Sequence, residues 1–393
     1  MNLLEYAHSI EDQLIGWRRD IHQHPELGFE EVRTSALVAE TLRGMGITVR
    51  TNVGKTGVIG SLGSGQPVIA IRADMDALPI QEANDVPYAS TTPGLMHACG
   101  HDAHTAILLG VARLLSDLPD RPPGEIRFLF QPCEEKQDAD GLSGASRMIS
   151  DQALDGVDAV IALHIASEAP VGIVVIDDGP IHAAADAFEA VIKGKGGHGA
   201  YPHQGVDPIY LLGLVIQAIY GIRSRRIDPT QPAVISLGSI HTGNASNVIP
   251  DEVRLNGTIR SLSDDIREQL HTELDHALSI VRPLGGDYTL TIQRGYPPLH
   301  NNSEIAAAIR VSAQEIVGPE RTTRYGFSMG AEDFAYMTRT VPGAMCFVGA
   351  QIGNDMRPHH SPIFNIDEQS LKIGAAVLAQ SAVRLLNQLA KTR

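Results

Sequence analysis

Ile126-Arg127-Phe128-Leu129-Phe130 is a short β-forming run set between two helical patterns, 105–118 and near 142–149. A second such run, Val160-Ile161-Ala162-Leu163-His164-Ile165, follows. Short strands alternating with helices require crossover connections, and so a largely parallel sheet buried on both faces. Toward the N-terminus the alternation continues, with β-rich runs at 47–50, 57–62 and 68–71. Helical spacing precedes them at Leu3, Leu4, Ala7, Ile10, Leu14 and Ile15, and again at Val32, Leu37, Val38, Leu42 and Met45. Toward the C-terminus a helix at 305–316, a strand at 344–348 and a helix at 367–390 resume it. The fold class is therefore α/β, a mostly parallel sheet with helices on both faces.

Between these halves the pattern changes character. A strand at 188–192 leads into a glycine-rich turn (Gly194, Gly196, Gly197, Gly199) and a long helix at 208–227. Strands at 234–240 and 253–260, a helix at 265–281 and a strand at 288–292 complete a split β-α-β-β-α-β order, which is ferredoxin-like. We expect a discontinuous main domain, 1–183 and 298–393, interrupted by a small inserted α+β domain at 184–297.

The chain has 393 residues, 43% hydrophobic and 20% charged, a globular composition with length for two or three domains. Asp and Glu number 46 against 31 Lys and Arg, giving a formal charge of −15. That balance argues against a nucleic-acid or anionic-membrane partner. No apolar run reaches the roughly 18 residues of a membrane span. The first twenty residues lack a basic start and an apolar stretch, so no signal peptide is expected. Three cysteines (Cys99, Cys133, Cys346) are too few for a disulfide framework, and a reducing cytoplasm is expected.

Sixteen histidines direct attention to where they cluster. Met96-His97-Ala98-Cys99-Gly100-His101-Asp102-Ala103-His104 stands directly before a predicted helix. Cys99 and His101 suit borderline metals, although a lone Cys-x-His is equally a buried thiol beside a surface imidazole. Glu134 and Glu135 end the strand run 128–132, at the edge where open parallel sheets bind ligands. Adjacent residues leaving a strand diverge, so one can ligate while its neighbour holds a water; a solvated Glu pair is the plain alternative. Strand alternation puts Asp74 and Asp76 on one face, as ligands or as partners orienting an imidazole. His164 closes an apolar run, and His359 and His360 sit in a loop fenced by Pro358 and Pro362. Several strand ends each offering metal-type donors suggest a two-metal site.

The chain resembles the aminoacylase/carboxypeptidase-type metallopeptidase family, in its amidohydrolase branch of hippurate hydrolases and indole-acetyl-amino-acid hydrolases. The resemblance spans nearly the whole chain. It is carried by Trp17-Arg18-Arg19-Asp20-Ile21-His22-Gln23-His24-Pro25-Glu26-Leu27, by Arg72-Ala73-Asp74-Met75-Asp76-Ala77-Leu78-Pro79, and by the segment 97–104. Gln131-Pro132-Cys133-Glu134-Glu135, Gly196-Gly197-His198-Gly199-Ala200-Tyr201-Pro202-His203, Asn247-Val248-Ile249-Pro250-Asp251-Glu252 and His360-Ser361-Pro362 extend it.

The resemblance implies that Cys99, His101, Glu135, His164 and His360 hold two divalent metals (Zn, Mn, Co or Ni), with Cys99 as a bridging thiolate. It implies Glu134 as general base toward a water bridging the metals, and Asp76 as the aspartate behind the ligands. The wider family has a histidine ligand where Asp74 stands, so a metal role for Asp74 stays open. His198 is implied as an oxyanion donor, and Asn247 and Arg260 as binders of the substrate carboxylate. The inserted domain becomes a lid and dimerisation domain, hinged near 183–185 and 295–298, in a homodimer or higher homo-oligomer. The implied activity is hydrolysis of N-acyl-amino acids to a carboxylic acid and a free amino acid. Alternatives are a dipeptidase or carboxypeptidase, an N-acetyl-diaminopimelate-type deacetylase, or a silent binding protein of this fold. Cys133, where alanine is typical, the polar stretch 136–141 and the segment 165–168 depart from the family pattern and bear on substrate preference.

Overall fold

The computed structural model describes residues 2–391, which divide into two compact units. The first takes the chain up to Gly179, then His300–Gly326, then from Tyr336 onward. The second comprises Pro180–Leu299 and Phe327–Ala335.

In the first unit an eight-stranded sheet runs Thr48–Val53, Gly57–Ser64, Gly124–Gln131, Val68–Asp74, Ala159–Pro170, Gly343–Gln351, Val174–Val175, Thr322–Thr323. Its four central strands are mutually parallel, and both Val68–Asp74 and the end of Gly124–Gln131 are wholly buried. That burial explains their unbroken apolar reading, since each packs on two faces. Register places Asp74 opposite Gln131 and Arg72 opposite Ala162. Two residues further along, Asp74 is level with His164. The strand ends thus gather polar side chains at one edge.

The helix His101–Ser116 is buried nearly all round, which an apolar circumference allows. It crosses its neighbours closely: a Cβ on Gly110 would lie 2.4 Å from the Leu14 side chain. Sequence periodicity put the start of this helix at 105, after the histidines. In the structure His101–His104 form its first turn instead. Gly100, at φ 95°, turns the chain, and its carbonyl accepts the N–H groups of Ala103 and His104. A polar first turn carries no apolar period, so the pattern started late. His164 likewise lies inside the strand Ala159–Pro170 and does not close it, because Gly343–Gln351 continues to pair beyond it.

The second unit is a four-stranded antiparallel sheet ordered Ala233–His241, Glu252–Ser261, Ala184–Lys193, Asp287–Arg294. Helices Pro208–Arg225 and Asp264–Ser279 connect them and share one apolar core with the sheet. This is the ferredoxin-like split arrangement. Asp207 starts the first helix by accepting from the Ile209 and Tyr210 N–H groups, and Ser263 caps the second.

One buried ion cluster ties the second unit's first strand to its second helix and to the end of its last strand. Asp186, 3% exposed, pairs with Arg267 Nε at 2.8 Å and His271 Nε2 at 2.6 Å, and accepts the Gly295 N–H at 3.0 Å. Burial alone would raise the Asp186 carboxyl, but Arg267 and His271 hold it well below the usual carboxylate range. A depressed folded value contributes stability above the unfolded carboxylate value, lost as pH falls toward the folded one. Asp186→Ala should therefore cost about 3–5 kcal/mol near neutral pH, because it strands Arg267. Urea unfolding followed as a function of pH should show the gap between variant and parent shrinking below about pH 4. A gap that is absent at pH 7, or constant down to pH 2, contradicts this reading.

Candidate metal centre

The site is built where the helix His101–Ser116 begins beneath the C-terminal ends of the parallel strands. Its first turn presents His101 and, three residues on, His104, which lie on one helical face. Their rings are 5.4 Å apart, and the His164 ring stands 4.5 Å from His104.

His101 and His164 are each oriented by one nitrogen, leaving the other aimed inward. His101 Nδ1 donates to the Asp76 carbonyl at 2.9 Å and lies 3.1 Å from Asp76 Oδ1. His164 Nδ1 donates to the Ile165 carbonyl at 2.7 Å. Both rings therefore turn Nε2, the metal-binding nitrogen, toward the cluster. Asp76 has a second task, because its Oδ2 accepts the Glu135 N–H at 3.0 Å. Burial works against its charge, yet the His101 hydrogen bond and the N–H groups of Glu135 and Glu134 lower its pKa.

The donors fall into overlapping groups, each within 4.8 Å: Cys99, His101 and His164; Cys99, Glu135 and His360; His101, Glu134 and Glu135. Cys99 Sγ is 3.6 Å from His164 Nε2, and His360 Nε2 is 3.2 Å from Glu135 Oε1. A tetrahedral ion about 2.3 Å from sulfur and about 2.0–2.1 Å from nitrogen sets those donors about 3.6 Å apart. The buried His101 Nε2 makes no hydrogen bond and lies 4.0 Å from Glu135 Oε1, which faces His360. Buried orphan acceptors are costly unless something binds them, so this donor set fits divalent cations.

The protein groups alone crowd negative charge here. Burial pushes the Cys99 thiol up, and Glu135 adds to it. Hydrogen bonds to Cys99 and Glu135 push His360 up to about 10. Burial would lower His101, but Asp74 and Cys99 outweigh it and hold the ring well above its ordinary value. His164 goes the other way, lowered by burial and by His104.

Asp74 is engaged elsewhere. Its Oδ1 lies 2.6 Å from His104 Nδ1, and its Oδ2 accepts from Arg72 Nη1 at 2.7 Å. His104 Nε2 in turn accepts the Ile165 N–H at 2.9 Å. This chain joins strand Val68–Asp74, the helix and strand Ala159–Pro170 behind His164. The loop of His360 is fixed by its own N–H, which donates to the Ala98 carbonyl at 2.8 Å, with φ at 59°.

The remaining expected residues belong to the second unit. His198 lies on a two-residue strand opposite Val248, and the Gly199 N–H donates to the Asn247 carbonyl at 2.8 Å, so His198 and Asn247 are neighbours. His198 Nδ1 accepts the Ala200 N–H at 3.0 Å. Arg260 is on the strand Glu252–Ser261 and is half-buried; its Nη1 donates to the Ile259 carbonyl at 3.0 Å.

Sequence reasoning missed His104, whose role appears only through Asp74 and Ile165, and the buried group around Asp102. There Arg18 Nε and His22 Nδ1 lie 3.0 and 2.8 Å from Asp102 Oδ2. The signal was present in the tight run 97–104 and in Arg18 and His22 of the N-terminal motif, but partners eighty residues apart in sequence are not readable as such.

Residues 70–384 match the model of peptidase family M20/M25/M40. The chain is 43% identical over 391 residues to thermostable carboxypeptidase 2 of Saccharolobus solfataricus, covering 96% of this chain and 97% of that one. It is 40% identical to the N-acetyl-L-cysteine deacetylase of Bacillus subtilis, over 96% and 89% of the two chains. A solved Bacillus subtilis structure, YXEP, described as a dinuclear metal binding peptidase from the M20 family, superposes with TM-score 0.84 at 33% identity, over 97% and 99% of the chains. With a family model over most of its length and relatives this similar, the chain belongs to peptidase family M20/M25/M40 and is a hydrolase.

Proposed function

We propose that the protein is a metal-dependent amidohydrolase that cleaves N-acyl-amino acids to a carboxylic acid and a free amino acid. The observation that carries this reading is the convergence of Cys99, His101, Glu135, His164 and His360 with Glu134 beside them. Those five donors would hold two divalent cations, of the Zn, Mn, Co or Ni kind. When bound, the cations supply Lewis acidity toward the scissile carbonyl and toward water.

The chain's own groups do the rest. Glu134, 7% exposed and adjacent to the ligand Glu135, accepts a proton from the attacking water and returns it to the departing amine. Its neighbour's N–H is held by Asp76, which keeps the base and the ligand in fixed relation. His198 donates to the oxyanion: with Nδ1 accepting from Ala200, the neutral ring carries its proton on Nε2. Arg260 and Asn247 bind the substrate carboxylate, for which a guanidinium fork is suited. Three free thiols accord with a reducing cytoplasm.

The relatives divide the substrate question. A deacetylase at 40% identity supports N-acyl substrates, while the carboxypeptidase at 43% favours a peptide-cleaving second reading. Hydrolysis of N-acetyl-, N-benzoyl- and N-aminoacyl-amino acids, compared by kcat/KM, decides between them. We expect the first two to exceed the dipeptides by tenfold or more; the reverse order establishes the carboxypeptidase reading.

Glu134→Ala should lower kcat by about 10²–10⁴-fold, the usual scale of general-base loss, with both metals retained. Cys99→Ala should lose metal by elemental analysis. Full turnover in the first, or full metal content in the second, removes that residue from its role.

We further propose a homodimer formed through the inserted unit. Helix Pro208–Arg225 carries no charge before Arg223, yet Ile209, Tyr210 and Tyr220 are exposed on it. An uncharged, exposed apolar face of this kind fits a second copy. Sedimentation equilibrium should give a dimer that Tyr210→Glu with Tyr220→Glu converts to monomer; a monomeric parent refutes it.

A further inference from the structure

Four residues past Leu27, in the N-terminal part of the first unit, stands Glu31, a residue with no place in the chemistry above. Glu31 has no exposed surface. Its Oε1 accepts the Cys133 N–H at 2.8 Å, and its Oε2 accepts from the Thr56 hydroxyl. Burial, together with nearby Asp76, pushes its carboxyl up to about 7. A buried acid so costly to charge needs a reason to be there.

That reason lies at Cys133, at φ 48°, a left-handed conformation that side-chain-bearing residues seldom adopt. The kink falls two residues after the strand Gly124–Gln131 ends and one residue before Glu134. It is clamped on every side. The Cys133 carbonyl accepts the Gly144 N–H at 2.8 Å, and its Sγ donates to the Lys136 carbonyl at 3.4 Å. Against it, a Cβ on Gly28 would sit 2.5 Å from that sulfur, and one on Gly144 would sit 1.5 Å from the Pro132 carbonyl oxygen. The direction in which Glu134 and Glu135 leave the strand is therefore set by one backbone rotation, and the Cys133 N–H is the end of it that Glu31 holds.

We propose that Glu31 is a positioning residue: by accepting the Cys133 N–H it holds the left-handed kink that aims Glu134 and Glu135 into the metal centre. It acts through the backbone and touches no reacting atom. The proposal rests on Glu134 as base and Glu135 as ligand for its consequence in activity, though not for its consequence in structure.

The test uses Glu31→Gln, Glu31→Ala and Thr56→Val, with kinetics read on the metal-loaded enzyme. Glutamine keeps an oxygen for the Cys133 N–H and turns its amide toward Thr56. Thr56→Val removes only the other bond, so it reports the cost of disturbing the pocket without freeing Cys133. Glu31→Ala should lower kcat by about 30-fold or more with KM within about threefold, whereas the other two stay within about threefold of the parent. Hydrogen–deuterium exchange across 133–136, read on metal-free protein, should accelerate at least tenfold in Glu31→Ala alone. Should that variant fail to fold, Glu31→Asp, too short by one methylene to reach, replaces it with the same expectation. Parental kcat and exchange in the alanine variant, or a glutamine variant as impaired as alanine, overturn the proposal. Faster exchange in Glu31→Ala while Glu134→Ala stays active sinks the base assignment and leaves the positioning role standing. Unchanged exchange with an inactive Glu134→Ala retires the positioning role alone.

Discussion

A carboxylate with almost no exposed surface, Asp76, is the constraint on which the site depends. One of its oxygens orients the His101 ring and the other holds the Glu135 N–H. A helix that begins at Gly100 and a turn that leaves the strand at Gln131 are thereby referred to a single side chain. Either element could rotate by a fraction of an ångström without much loss of apolar packing. Neither can do so without breaking a charge-assisted hydrogen bond in a medium where such bonds are strong. Core packing brings these elements near each other, and Asp76 sets the distance at which their donors meet.

Much of the fold was legible because a fully buried parallel strand and an amphipathic crossover helix have unlike periods. Phe128–Phe130 and Val160–Leu163 read as strands for that reason, and the split order of the inserted unit read correctly from its strand and helix sequence. What was not legible lay where apolar periodicity stops. The first turn of the helix at His101 is polar, so it read as loop; its helicity comes from Gly100 at φ 95° and the carbonyl it presents. The donors were legible as residue types, since Cys, His and paired Glu at strand ends are few. Their partners were not. Asp74 looked equally like a ligand or a helper, and its bonds to His104 and Arg72 could not be read from the sequence.

Cost separates the polar residues of the first unit into two kinds. Arg18 is wholly buried, and Asp102, Glu368 and Asn365 each take one of its nitrogens. Burial would weaken its charge, but those two carboxylates more than restore it. A buried ion cluster of this kind gains little stability over an apolar packing of equal volume, because desolvation offsets the Coulomb attraction. What it supplies is direction. Asp102 follows His101 in the same helical turn, so a group that fixes Asp102 also fixes the azimuth of the helix about its axis. His101, by contrast, has a spare nitrogen, Nε2, with no hydrogen-bond partner. The first kind is paired within the protein through Asp102 Oδ2, and the second leaves a metal-type donor free.

That distinction bears on which cations the donor set accepts. Two imidazoles, a carboxylate and a further histidine would serve many divalent ions. Cys99 narrows the choice. Burial and Glu135 both oppose a thiolate at that position, so the sulfur binds as an anion only against a cation with real affinity for sulfur. Hard ions such as Mg²⁺ and Ca²⁺ bind oxygen and gain little from a thiolate, whereas Zn²⁺, Co²⁺ and Ni²⁺ accept mixed sulfur and nitrogen donors readily. A carboxylate in the same place would have been cheaper to ionise and less selective. On the reading proposed for the site, the thiol at Cys99 trades ease of ionisation for discrimination against hard, oxygen-seeking divalent cations.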